Sequence, residues 1–167
     1  AFGLNQLKLH RLWATCRPDN VASARVLEKA GLRCEGLLKK HKKIRGAWVD
    51  SYLYSVVKEE HKPASGIPLN SLPFIRDASI QDAETLVQAE QKIAQIPGRL
   101  VSKPHELTLE KFQQKIQDLS CIPNGKYIVA EETNKIIAHA LLEPLHLAAI
   151  QHVVHLTIAV HEGHQGK

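Results

Sequence analysis

Between residues 58 and 73 the chain loses all apolar periodicity. Lys58-Glu-Glu-His-Lys62 is charged, and Pro63-Ala-Ser-Gly-Ile-Pro68 is rich in residues that break helices and strands. Such a stretch reads as an interdomain linker. It constrains the fold more than any other feature, because the parts on either side must each bury an apolar face of their own or lend it to the other. The parts also differ in charge. Residues 1–62 hold thirteen Lys/Arg against six Asp/Glu, and residues 63–167 hold nine against eleven. That asymmetry suits a polyanionic partner for the first part, either a nucleic acid or a phosphorylated cofactor.

In the first part, Leu9–Cys16 alternates roughly with a period of two and is expected to form a strand. Pro18 ends it, and Asp19 or Asn20 can cap a following helix. Ala22, Val26 and Ala30 recur at helical spacing with Leu27 beside them, which predicts a helix from about Val21 to Ala30. Gly31 stands where a left-handed terminating residue is wanted. Arg33–His41 and Trp48–Val57 then read as two strands around a polar turn, Lys42–Gly46.

The second part restarts with a short strand, Pro73–Arg76, and a helix whose start is marked by Ser79 and Asp82. Ala83, Leu86, Val87 and Ala94 mark the inner face of that helix. A polar loop containing Pro97, Gly98 and Pro104 leads to a second helix capped by Thr108, with Leu109, Phe112, Ile116 and Leu119 on one side. Lys126–Glu131 and Ile136–Leu142 form a hairpin around residues 132–135. A last strand, Val153–Val160, runs into His161-Glu-Gly-His-Gln-Gly-Lys167.

A length of 167 residues suits one domain, and the 44% apolar share is enough for a core. No stretch reaches the roughly 18 apolar residues of a membrane span, and the N-terminus lacks the pattern of a secretory leader. The chain holds no methionine, and a piece of a longer polypeptide is the simplest expectation. Cys16, Cys34 and Cys121 are too few and too scattered for a disulfide framework or a zinc site, so reduced, partly buried thiols in a cytoplasmic protein are expected. Of the ten histidines, His152 and His155 would point to opposite faces of a strand. His161 and His164 could converge in a loop, but no cysteine or carboxylate cluster supports them, and no metal is expected. The first part has neither an aromatic stacking motif nor a helix-turn-helix pattern, so no nucleic-acid partner is expected despite its charge.

Two segments resemble a known family. Residues 10–57 resemble the C-terminal half of GNAT acetyltransferases of the ribosomal-protein N-acetyltransferase type. The resemblance is carried by His10-Arg11, by Asp19-Asn20-x-x-Ser23-x-x-Val26-Leu27-Glu28-Lys29-Ala30-Gly31-Leu32, by Glu35-Gly36, and by Gly46-Ala-Trp48-Val-Asp50 before Tyr52–Val57. Residues 74–167 resemble the N-terminal half of the same fold: strand, two helices, hairpin, then Leu156–Val160 running into Gln165-Gly166-Lys167. The family's cofactor loop continues with glycines that would fall past residue 167. The resemblance implies a mixed α/β (α+β) fold with a largely antiparallel sheet flanked by helices, its halves in permuted order. Two arrangements fit: the junction of two tandem domains, which is preferred, or one permuted domain whose halves assemble. On this reading residues 1–57 are a back half, 58–73 a linker, and 74–167 a front half ending inside the cofactor loop.

The resemblance further implies acetyl-CoA as cosubstrate and transfer of acetyl to a primary amine, either a protein N-terminus or a small molecule. Asn20 would direct its amide at the pantetheine arm, with Ser23 near the cofactor. Ile158 and Val160, as buried strand residues, would contribute only their backbones. Gln165, Gly166 and Lys167 would begin the phosphate-binding loop, since successive backbone N–H groups at a helix start make an anion site. The tyrosine that often serves as general acid in this family is replaced by Leu27, which cannot donate a proton. His155 is the candidate base, its intrinsic pKa being suited to the task; Glu131 and Glu143 read as surface charges of the hairpin. The alternative is a CoA-binding or scaffold module without catalysis.

Overall fold

In a computed structural model of the chain, the described residues are 4, 8–44, 46–61, 73–96, 102–145, 150 and 152–165. They fall into two compact units, Ala1–Ile67 with Pro144–Leu156, and Pro68–Glu143 with Thr157–Lys167. Most of the expected linker, together with Arg45, Pro97 and Gly98, lies outside the described residues. Lys58–Glu60, expected to be linker, forms one 3-10 turn whose Lys58 N–H donates to the His10 carbonyl.

The first unit contains β1 (Arg11–Cys16), α1 (Val21–Lys29), β2 (Arg33–Ile44), β3 (Ala47–Val57) and the first half of β7 (Val153–Val160). Its strand order is β2-β3-β1-β7. β1 pairs antiparallel with β3 along its whole length, from Arg11↔Val57 to Cys16↔Tyr52. On its other side it pairs in parallel with β7 at Arg11↔Val153, Leu12↔Val154 and Trp13↔His155. Leu12, Ala14 and Cys16 are buried, so alternation sends Trp13 and Thr15 to the opposite face. The expected turn at Lys42–Gly46 is tighter than the polar run suggests. β2 continues to Ile44, which is buried, and Gly46 takes the turn at φ +88°. Lys42 and Lys43 are therefore strand residues.

In α1 the residues whose spacing predicts the helix face mostly outward. Ala22, Val26 and Ala30 are exposed, while Leu27 is buried and Ser23 and Ala24 are half-buried. The Ser23 N–H is tied back to the Asn20 side chain, which closes the first turn. Gly31 has φ +89°, as its terminating position requires. Of the thiols, only Cys16 is buried; Cys34 and Cys121 are exposed.

The second unit contains β4 (Phe74–Asp77), α2 (Ala83–Gln95), α3 (Leu109–Cys121), β5 (Lys126–Glu132), β6 (Lys135–Pro144) and the second half of β7, in strand order β7-β6-β5-β4. β5 and β6 form the expected hairpin, with Thr133 and Asn134 both at positive φ, as a two-residue turn between twisted strands requires. Ala83, Leu86, Val87 and Ala94 of α2 and Phe112, Ile116 and Leu119 of α3 pack with Tyr127, Val129 and Ile136 of the sheet. Leu109, expected on that face, is exposed at the first helical position, so the face begins at Phe112. Each unit is thus a largely antiparallel sheet with helices, as expected.

One ion cluster ties three elements of the second unit. Arg76 on β4 donates from Nη1 and Nη2 to the two Asp82 oxygens, at 2.7 and 2.9 Å, and from Nε to Glu131 on β5 at 2.9 Å. Asp82 also accepts from the Ser79 N–H and hydroxyl, which sets the 3-10 turn leading into α2. Hydrogen bonds from Arg76, then those from Ser79, hold the Asp82 carboxyl at about 2 despite its burial. A depressed carboxyl contributes stability above its unfolded value near 3.8 and loses it as pH falls toward about 2. Arg76→Met should leave two neighbouring carboxylates without their cation and cost about 3 kcal/mol at neutral pH. Urea unfolding followed by circular dichroism measures it, and the difference from the parent should shrink between about pH 4 and 2.

Candidate functional site

The residues singled out by sequence divide between the two units. In the first unit, Asn20 is the N-cap of α1: its Oδ1 accepts from the Ser23 N–H at 3.1 Å. The two expected site residues are thereby joined to each other. Only the oxygen of the Asn20 amide is used, and among the described residues its Nδ2 has no partner. The first turn of α1 carries no acidic side chain to offset the positive end of the helix dipole. Arg17 and Asp19, just ahead of the cap, pair with each other.

Three pairs make up the described parallel register of β1 with β7, whereas the antiparallel register with β3 covers all six residues of β1. Its last pair is Trp13↔His155. There the His155 ring lies against the Trp13 indole, centroids 4.4 Å apart, so the candidate base is held by a neighbouring aromatic face. On the same side of β1, Lys42 Nζ donates to Thr15 Oγ1 at 3.1 Å. Burial lowers the Lys42 pKa. Glu35 accepts from the Ser55 hydroxyl and from Arg11, and the Ser55 bond, followed by Arg11, holds its carboxyl below the usual range. Tyr54 donates to Glu28 of α1 at 3.2 Å; burial, then Glu28, pushes the phenol up to about 12, so it stays neutral.

In the second unit, Ile158 and Val160 are half-buried rather than buried, and Ala159 between them is the buried residue. Alternation therefore points Ile158 and Val160 away from the buried face of this half of the strand. Gln165 Nε2 donates to the Val160 carbonyl at 3.2 Å, folding the segment after β7 back on the strand end. Gly166 and Lys167 lie outside the described residues. Glu131 is engaged by Arg76, and Glu143 by Lys115 at 2.9 Å, so both serve the fold.

Sequence reasoning passed over a buried array in this unit. His139 Nε2 lies 2.8 Å from Glu90 Oε1, His139 Nδ1 lies 3.0 Å from His161 Nε2, and His161 Nδ1 donates to the Ile136 carbonyl at 3.1 Å. His139 and His161 are 2% and 7% exposed, which marks them as core residues rather than loop ligands. The signal was present in the helical spacing. Glu90 stands four residues from both Leu86 and Ala94, on the inner face of α2, where a carboxylate demands a partner. Among the described residues, no three His, Cys, Asp or Glu side chains gather in a way that could hold a metal ion, and no helix is long and apolar enough to cross a membrane.

Residues 1–33 match the family model described as the acetyltransferase (GNAT) domain. The chain is 42% identical over 59 residues to the uncharacterized N-acetyltransferase YnaD of Bacillus subtilis (strain 168), a stretch that covers 35% of each protein. It is 41% identical over 59 residues to the probable N-acetyltransferase YjcK of the same organism, covering 35% of this chain and 33% of that protein. Among solved structures it is similar to a GNAT-family acetyltransferase from Bacillus anthracis, at 46% identity over 35% of this chain and 36% of that one, with a TM-score of 0.34. The chain thus spans about a third of the length of the curated relatives it matches.

The cap geometry separates two roles within one side chain. Asn20→Ala should cost about 1 kcal/mol of stability through loss of the cap, whereas Asn20→Asp, which keeps the accepting oxygen, should cost less than half of that. Thermal unfolding of the two variants side by side measures the difference.

Proposed function

We propose that the protein is an acetyl-CoA-dependent N-acetyltransferase acting on a primary amine, a reading supported by the match of residues 1–33 to the acetyltransferase (GNAT) domain model. The observation that carries this reading lies inside the matched segment. Asn20 and Ser23 stand at the head of α1 with the capping oxygen occupied and the amide nitrogen left over. The nitrogen is a donor suited to a carbonyl of the pantetheine arm, and a first turn without an acidic side chain favours an electron-rich ligand.

Acetyl-CoA, when bound, supplies the activated acetyl thioester. The roles of the chain follow from chemistry it must perform around that group. Main-chain groups of Ala14–Cys16, past the described parallel pairing, are suited to hydrogen-bond an extended amide-bearing ligand. His155, braced on Trp13, is the proposed acceptor of the proton that an ammonium substrate must lose before it can attack. Leu27 is buried and apolar, so it contributes packing and no proton. In the second unit, taken by itself, the backbones of Ile158 and Val160 and the start of the loop at Gln165, Gly166 and Lys167 are proposed cofactor-binding groups. The acceptor is a protein N-terminus or a small-molecule amine, and the proposed setting is the cytoplasm. Within the first unit β1 pairs with Val153–His155 of β7, so residues from both sides of the expected linker contribute to that unit. The buried Leu27 supports the second reading, a CoA-binding module that does not catalyse.

Calorimetric titration of acetyl-CoA tests the proposal, with the 167-residue chain beside a version extended through the expected loop glycines. Binding by the chain itself, weakened at least tenfold in Asn20→Asp while stability holds, is the expected result. Binding by the extended form alone would instead favour tandem domains. Silence from both would overturn the acetyl-CoA reading, and binding with no acetyl transfer to any amine tried would favour the non-catalytic module.

A further inference from the structure

We propose that Glu90, His139 and His161 form a single-proton lock that positions the turn following β7. The three contacts of this array each need one hydrogen between their heavy atoms. The Ile136 carbonyl can only accept, so His161 Nδ1 carries a hydrogen. Two neutral imidazoles bring two hydrogens to three contacts. With Glu90 ionised, the third must be one added proton. Without it, a lone pair faces a lone pair across one contact. With a second proton on the rings, two N–H groups face each other across the His139–His161 contact. Only one occupancy satisfies the array, and burial makes either failure costly.

Its surroundings place that proton. Burial, then the neighbouring His139, holds the His161 pKa down at about 4, so the ring against the carbonyl stays neutral. Tyr127 on β5 lies over His139 with ring centroids 5.7 Å apart. Burial, then Glu90 and Glu143, raises its phenol, which remains neutral. His164, 3.9 Å from Glu132, is the other titratable group acting on His161, and Glu143 is itself paired with Lys115. None of these supplies the missing hydrogen in a described contact.

The lock acts on the turn through His161. The His161 N–H donates to the Ile137 carbonyl at 2.9 Å, and the His164 N–H donates to the His161 carbonyl at 3.2 Å, so the turn through Gly163 hangs from a residue fixed at both backbone and side chain. Resting on the reading above, in which this turn leads into the cofactor loop that starts at Gln165, the lock makes acetyl-CoA affinity depend on one buried proton.

Linkage gives the pH dependence. Above about pH 6.5 an unfolded histidine releases its proton, while the native array retains one, so stability falls as pH rises through the array's own titration. On the acid side the unfolded chain takes up a proton that native His161 refuses until about 4. Stability therefore also falls as pH drops from about 6.5 toward that value. Glu90→Gln separates the limbs. Its amide N–H can donate to His139 Nε2, which satisfies all three contacts with two neutral rings and no added proton.

Urea unfolding of the parent chain and E90Q from about pH 5 to pH 10, with imidazole nitrogen NMR of the parent near pH 8, tests the lock. Expected are a parent midpoint that declines on both sides of neutrality, an E90Q midpoint that lacks the parent's decline between about pH 6.5 and 8.5, and two ring protons on His139 at pH 8. An E90Q profile parallel to the parent on the alkaline side overturns the proposal, as does a His139 with one ring proton at that pH. Acetyl-CoA calorimetry at pH 7 and pH 9 then reads the positioning. Affinity lost at pH 9 in the parent and kept in E90Q supports it, and affinity independent of pH in the parent overturns it. Absence of binding in both proteins at both pH values overturns the cofactor role of the turn, while unfolding and NMR still decide the lock.

Discussion

Strand β1 is the constraint on which the first unit is built. It is antiparallel to β3 over six residues and parallel to β7 over three. Over Arg11–Trp13 it is paired on both sides, and along its length it buries one face through Leu12, Ala14 and Cys16. Parallel neighbours cannot be joined by a tight turn, so this pairing requires chain from far along the sequence. Long-range pairing of this kind is slow to form and costly in loop entropy. What it yields is an interior strand whose opposite face carries Trp13 and Thr15, against which His155 and Lys42 are held.

The second unit depends on a different device. Its first strand is four residues long and would pair weakly alone. The Arg76 guanidinium compensates by joining β4, the turn into α2 and β5 in one planar fork. Apolar packing of α2 and α3 on the sheet supplies the bulk of the core. The ion cluster fixes where the strand ends and the helix begins.

Much of this was legible in the sequence, because the signals were local. Asn20 as cap, Gly31 as terminator, the Thr133–Asn134 turn and the apolar positions of α2 rest on short-range sterics and period, which one chain displays directly. The buried side of α1 was not legible: Ala22, Val26 and Ala30 make as good a stripe as Ser23, Ala24 and Leu27, and tertiary packing rather than local pattern decides between them. The buried histidines were missed for a related reason. A histidine in a strand or just past one has no local signature of burial, and its partner Glu90 comes from a helix 49 residues away from His139. Of the site, the Asn20–Ser23 pair could be read from spacing, whereas the bracing of His155 on Trp13 arises from a tertiary pairing that no local pattern announces.

β2 stands at the edge of the first unit's sheet, and its residues are exposed along nearly its whole length. An open strand of twelve residues is a template on which another chain could add itself. The irregular register between Leu38 and Lys42, and Lys40 at φ +48° with its N–H turned to Asp50, interrupt the row of outward main-chain groups. Lys39, Lys40, Lys42 and Lys43 place charge along the same stretch. The basic run that suggests a polyanionic partner thus has a second consequence. It acts as a gatekeeper, keeping the longest strand of the chain from seeding intermolecular β-structure while the protein folds.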